Sequence, residues 1–183
     1  MAKNSQETQV TESQTDNSAA KAQLMRYIDD LDIIGGGVWS RPGFLVRRLH
    51  QIHCALFYEE SKYGITPVQY GIMTVLARNP WLDQTAVGYE VGLDRTTVAD
   101  VIRRLEDKGW VERRTNEQDR RSRLVAITTE GLAVMLEMQA GVERSQRKLL
   151  APLSLKDQRT FLTLLFQVVE ANNQYGRATL KVS

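Results

Sequence analysis

The chain has a single cysteine, Cys54, so it can form no disulfide within itself, and its opening residues, MAKNSQETQV, hold no apolar run of the kind that starts a secretory signal. Both absences point to a reducing, cytoplasmic setting. No stretch approaches the roughly 20 uninterrupted apolar residues that a membrane-spanning helix needs. The most apolar window, from Phe161 to Val169, is short and flanked by polar residues. Catalytic signatures are also missing: there is no nucleophile elbow and no phosphate-cradling glycine loop, and no histidine–carboxylate pair stands at metal-ligand spacing. Gly35-Gly36-Gly37 follows no strand, so it makes no nucleotide site. The chain therefore reads as a non-enzyme. With only two histidines and one cysteine, His50, His53 and Cys54 would need a carboxylate such as Glu59 to complete a tetrahedral zinc site, and neither metal nor cofactor is expected. For Cys54 a small buried hydrophobe is the commoner role, against a redox switch.

What is present is unevenly spread. The 183 residues carry a formal net charge of only +2. Lys3, Lys21 and Arg26 face Glu7, Glu12, Asp16, Asp29, Asp30 and Asp32 over residues 1–32, which makes that end acidic by three and the remainder basic by five. Much of the basic excess lies between Arg103 and Arg123. Residues 1–24 hold few large apolar side chains and read as a disordered tail. Residues 25–41 read as a short helix, with Leu24, Tyr27, Ile28 and Leu31 at helical spacing, and a glycine hinge. Over 42–64, Leu45, Leu49, Ile52 and Leu56 mark the buried stripe of a longer helix ended by Gly64. Thr66-Pro67-Val68-Gln69 combines an N-cap, a proline at the first helical position and a capping-box glutamine, starting a helix to about Arg78.

Residues 65–128 carry the most informative pattern. Two helices, Asp83 to Val91 and Asp94 to Lys108, join through Gly92, and two short strands, 110–115 and 123–128, flank an arginine-rich connection. Gly88, Gly92, Val98 and Val101 sit where two short helices crossing near a right angle need a small residue, a turn glycine and two core residues: a helix-turn-helix. In the second helix Val98, Val101, Ile102 and Leu105 form one apolar stripe. At roughly 100° per residue the opposite face is Thr96, Asp100, Arg103 and Asp107, flanked by Thr97, Ala99 and Arg104. Thr96 and Thr97 can donate to bases or phosphates, while Arg95 and Arg103 can reach phosphates or guanine edges. Asp100 either accepts from a cytosine amino group or clamps Arg103 or Arg104, the second being favoured. The connection Asn116 to Arg123 places Arg120, Arg121 and Arg123 at a hairpin tip, where arginine can enter a narrow minor groove. Residues 129–175 read as two further helices, starting at Thr128 or Thr129 and at Ser154, and 176–183 as a tail. Phe161, Leu162, Leu164, Leu165, Phe166, Val168 and Val169 cover more than a one-sided stripe, which predicts burial on two sides, one of them against a second chain.

Over roughly residues 42–175 the chain resembles the MarR family of bacterial regulators. The resemblance rests on Thr66-Pro67-Val68-Gln69-Tyr70, Leu93-Asp94-Arg95-Thr96-Thr97-Val98, Leu105-Glu106-Asp107-Lys108-Gly109-Trp110-Val111, and Asp119-Arg120-Arg121-Ser122-Arg123 leading into Ile127-Thr128-Thr129-Glu130-Gly131. It implies a mainly α (α+β) winged helix-turn-helix whose N- and C-terminal helices form a homodimerisation region. It further implies that Arg121 enters the minor groove while Asp119 braces the wing by an ion pair, and that a dimer reads a pseudo-palindromic double-stranded DNA operator. Proteins similar to this one often release DNA when a small aromatic or heteroaromatic acid binds between the dimer helices and the winged domain. The residues available for such an effector are Arg47, His50, His53, Tyr70 and Met73, although His53 lies on an apolar stripe where histidine also serves as a core or interface residue. The family's hydroperoxide-sensing branch carries its reactive cysteine farther from the Thr-Pro turn than Cys54. Two other readings use the same residues: a basic module for an acidic protein or RNA, and a redox regulator acting through Cys54.

Overall fold

A computed structural model describes residues 21–23, 25, 26, 37–176 and 178. Most of the short helix expected from Leu24 to Leu31, Gly35 and Gly36, and most of both terminal tails lie outside the described residues. Residues 21–23 are helical, so the tail expected to run to residue 24 overlaps a helix. The chain divides into two units, the first ending at Gln51 and the second starting at Ile52.

In the first unit a 3-10 turn, Gly37–Ser40, leads into helix α1, Pro42–Glu60, which continues across the boundary between the units. Trp39 meets the Phe44 ring edge-on at 5.1 Å, and the Arg47 guanidinium lies 5.2 Å from the centre of the same ring.

The second unit follows from its caps. Thr66 and Gln69 close a reciprocal capping box at the start of α2, Pro67–Arg78, as their spacing predicts. The Asp83 carboxylate accepts from the amides of Thr85 and Ala86 and so starts α3, Gln84–Val91. Asp94 accepts from the Thr97 amide at 3.0 Å and starts α4, Arg95–Asp107. Thr128 and Ser154 cap α5, Thr129–Leu150, and α6, Leu155–Ala171, in the same manner. Between α4 and α5 run β2, Val111–Thr115, and β3, Arg123–Ile127.

The sheet differs from the expected two-stranded hairpin. Leu82–Asp83 forms a short strand β1 that pairs antiparallel with β3, Leu82 opposite Val125, giving the order β1-β3-β2. This ties the start of α3 to the base of the hairpin. Fully buried Ile72, Met73 and Leu76 of α2 pack with Val87 of α3, Val98, Ile102 and Leu105 of α4, and Val125 of β3. Each such side chain contributes about 1.5–3 kcal/mol when taken out of water. Helix α5 packs on the end of α1 through Arg144 to Glu60 at 2.8 Å and Lys148 to Glu60 at 2.7 Å.

Helix α6 stands apart from this core, so the burial expected for one of its sides within the chain is not found. None of its residues is buried, and Leu162, Leu164, Phe166, Val168 and Val169 are each at least 44% exposed. Among the described residues, no helix is long and apolar enough to cross a membrane.

Candidate nucleic-acid interface

The helix-turn-helix is set by two glycines. Gly92 closes α3 in the left-handed conformation (φ 66°), which costs glycine least, and turns the chain into α4. Gly88 sits at the crossing: a Cβ there would stand 2.9 Å from the Leu93 carbonyl oxygen and 3.5 Å from Val98 Cγ2. Both helices approach as closely as a missing side chain allows.

Burial of Val98, Ile102 and Leu105 turns the opposite side of α4 to solvent. Arg95, Thr96, Arg103 and Arg104 are exposed there, as the periodicity predicts. Asp100 is the clamp: it accepts from Arg103 Nη2 at 2.8 Å and pairs with Arg104 Nη2 at 2.7 Å, while Arg103 Nη1 reaches Asp107 at 3.2 Å. The hydrogen bond from Arg103, supplemented by that from Arg104, holds the Asp100 carboxyl below the usual aspartate range. The same contact raises the Arg103 pKa. Thr97 differs from expectation, because its hydroxyl donates to Asp94 Oδ2 at 2.7 Å and its amide to Asp94 Oδ1. Its hydroxyl hydrogen serves the helix cap, which leaves Thr96 as the exposed threonine of this turn.

The hairpin connection is a built turn. The Ser122 amide donates to the Asp119 carbonyl at 2.9 Å, the Arg121 amide to Asp119 Oδ1 at 3.0 Å, and the Asn116 amide to the Ser122 carbonyl at 3.1 Å. Arg120 and Arg121 thus occupy the two central positions of a β-turn and project from it. Asp119 braces this turn through the Arg121 amide; among the described residues it makes no ion pair. Arg123 is also placed differently. It opens β3 opposite Thr115 and donates to the Thr115 hydroxyl at 2.6 Å, so it stands at the base of the tip.

The two parts meet in an open cleft of about 550 Å³, lined by Gln84 and Thr85 of α3, Arg95 of α4, and Asp119, Arg121 and Arg123 of the wing. Gln84 and Thr85 escaped the sequence reading. Their signal was the Asp83 cap, which puts them in the first turn of α3, Thr85 exposed and Gln84 half-buried. Trp81 and Arg114 escaped it as well: the Arg114 guanidinium lies 3.8 Å from the centre of the Trp81 ring, stacking the wing on the loop before β1. Trp81 has a positive φ of 63°, unusual for a residue of its bulk.

A second cavity, also of about 550 Å³, lies behind the helix-turn-helix. His53, Phe57, Tyr70, Val91, Leu93 and Val142 are among its walls. Of the expected effector residues, the structure brings His53 and Tyr70 together here. Met73 is fully buried in the core and does not reach this cavity. Arg47 and His50 are exposed residues of the first unit. Desolvation pushes the Tyr70 hydroxyl pKa up, and the charge of Glu143 adds to it. Cys54 is half-buried, and no group of three or more metal-ligating side chains is gathered among the described residues.

A model of the MarR family matches residues 65–122, the span from the capping box to the wing turn. The putative transcriptional regulatory protein for the hcr operon of Thauera aromatica is 31% identical over 151 residues, covering 80% of this chain and 89% of that protein. The chain belongs to the MarR family. Solved MarR-type structures superpose on it: the PcaV transcriptional regulator of Streptomyces coelicolor in complex with its natural ligand is 36% identical with a TM-score of 0.71, over 74% of this chain and 96% of that one. BpsR of Bordetella bronchiseptica, whose DNA binding is regulated by 6-hydroxynicotinic acid, is 26% identical with a TM-score of 0.65, over 69% of this chain and 96% of that one. The fold is that of a winged-helix transcriptional regulator, and these MarR relatives are regulators rather than enzymes.

Proposed function

We propose that the chain is a cytoplasmic repressor that binds a pseudo-palindromic duplex operator as a homodimer and is released by a small aromatic or heteroaromatic acid. The observation that carries the reading is the cleft where Arg95, at the start of α4, and Arg121, in the wing turn, face the same space. On this reading Arg95, Thr96 and Arg103 of α4 enter a major groove, and Arg120 and Arg121 of the wing turn enter the adjacent minor groove. The exposed apolar residues Leu162, Leu164, Phe166, Val168 and Val169 of α6 support a second copy, because clustered exposed apolar side chains mark interaction sites. A two-fold dimer sets its recognition helices about 34 Å apart, one turn of duplex.

The second cavity supports ligand control. Val91 and Leu93 flank the Gly92 turn and also form part of the cavity wall, so an occupant touches the joint between α3 and α4. The regulation of BpsR's DNA binding by 6-hydroxynicotinic acid makes an aromatic or heteroaromatic acid the effector class to test first. By linkage, an effector that weakens operator binding tenfold must itself bind the operator complex tenfold more weakly. A fluorescence titration of duplex operator at rising salt tests the reading: affinity should fall steeply with salt, then fall again on adding effector. A salt-independent affinity would overturn it.

A further inference from the structure

The cavity behind the helix-turn-helix has a distinctive charge. Among the described residues that line it there is no lysine or arginine, and its one carboxylate is Glu90, in the last turn of α3. Glu90 is exposed at this wall and has no ion-pair partner among the described residues. Much of the remaining wall is apolar, from Phe57, Val68, Val75, Val91, Leu93 and Val142, with His53, Tyr70 and Gln146 as its further polar side chains. The Thr74 hydroxyl already donates to the Tyr70 carbonyl at 2.9 Å.

Such a wall discriminates by charge. Beside apolar surface a carboxylate repels another carboxylate several-fold more strongly than it does in bulk water. The same group is a strong acceptor for a hydroxyl or N–H, because a hydrogen bond to an ionised acceptor is about twice as strong as a neutral one. A site built around such a bond also rejects the analogue that lacks the donor far better than an apolar pocket rejects an extra group.

Resting on the reading that this cavity takes the effector, we propose that Glu90 determines which aromatic acid is accepted. It receives a hydrogen bond from a ring hydroxyl or ring N–H and turns away a second carboxylate. The effector is then a monoacid carrying a donor on its ring, with its own carboxylate directed away from Glu90.

Isothermal titration of the full chain with benzoate, 3-hydroxybenzoate, 4-hydroxybenzoate and terephthalate tests this. The wild type should bind at least one hydroxybenzoate about tenfold more tightly than benzoate and should take up no terephthalate. Glu90→Ala should bring that hydroxybenzoate and benzoate within about threefold of each other. Glu90→Gln, which keeps an acceptor without the charge, should retain part of the hydroxyl preference and admit terephthalate. An unchanged hydroxybenzoate-to-benzoate ratio in Glu90→Ala would overturn the role of Glu90 while leaving the effector reading intact. Binding of none of the four overturns the role of Glu90, whereas the effector reading falls only if 6-hydroxynicotinate also leaves operator affinity unchanged.

Discussion

Replacing Gly131 by alanine tests how the wing is anchored to the rest of the domain. Gly131 lies in the first turn of α5, and its amide donates to the capping hydroxyl of Thr128 at 3.0 Å. An added Cβ would stand 2.1 Å from the Trp110 carbonyl oxygen, 2.8 Å from its carbon and 3.0 Å from Ile127 Cγ1. That oxygen also accepts from the Thr128 amide at 3.0 Å. Because the obstacle is backbone, it cannot swing aside: α5 moves off β2, and the Thr128–Trp110 hydrogen bond opens with it. Overpacking costs about 1–3 kcal/mol. Leaving the carbonyl without its partner costs a further ~1–3 kcal/mol, and the better helix propensity of alanine returns about 1 kcal/mol. The net expectation is a loss of about 3 kcal/mol, which for a chain of this size lowers Tm by roughly 6–12 °C. At Gly71, in α2, an added Cβ meets nothing within 4 Å, so the same substitution should stabilise by up to about 1 kcal/mol. Urea unfolding of both variants reads the difference. A Gly131→Ala protein as stable as the wild type would refute the packing argument.

Arg121→Ala should leave unfolding within about 0.5 kcal/mol of wild type, because the turn is held by backbone and Asp119 contacts rather than by the guanidinium. It should weaken operator binding by about 1–3 kcal/mol per site in an anisotropy titration. Asp100→Asn releases Arg103 and Arg104 from their shared carboxylate. Affinity for a scrambled duplex should rise and the operator-to-scrambled ratio should fall; a selective loss of operator affinity would instead mean that Asp100 reads a cytosine. Lys148 and Arg144 hold the Glu60 carboxyl below the usual glutamate range, Lys148 most strongly. A lowered folded-state pKa contributes stability that is complete above the unfolded value and is lost as pH falls through the folded one. Acid titration of Tm should therefore be steeper below about pH 4.5 in the wild type than in Glu60→Gln.

Much of this architecture was legible because caps and periodicity are local. Thr66 with Gln69, Asp83, Asp94, Thr128 and Ser154 mark their helices through hydrogen bonds that span two or three residues, and the apolar steps of α4 fix its outward face. What escaped is non-local or too short to have a period. Strand β1 is two residues long and exists only because β3 offers an edge. Arg123 moved from the tip to its base because strand pairing with Thr115 extends the ladder that far. Thr97 lost its free donor to Asp94, three residues away, a competition between capping and recognition that residue type alone does not decide. Met73 left the cavity because α2 turns that side into the core. The stacking of Arg114 on Trp81 joins residues 33 positions apart and has no signature in either segment.

The paired use of α4 and the wing is tested most directly by hydroxyl-radical footprinting of a duplex operator, with the mass of the complex measured in parallel. The account predicts two chains per duplex and two protected half-sites whose centres lie about one helical turn apart. Minor-groove protection beside each half-site should disappear in Arg121→Ala. A complex of one chain per duplex, or minor-groove protection that survives Arg121→Ala, would contradict it.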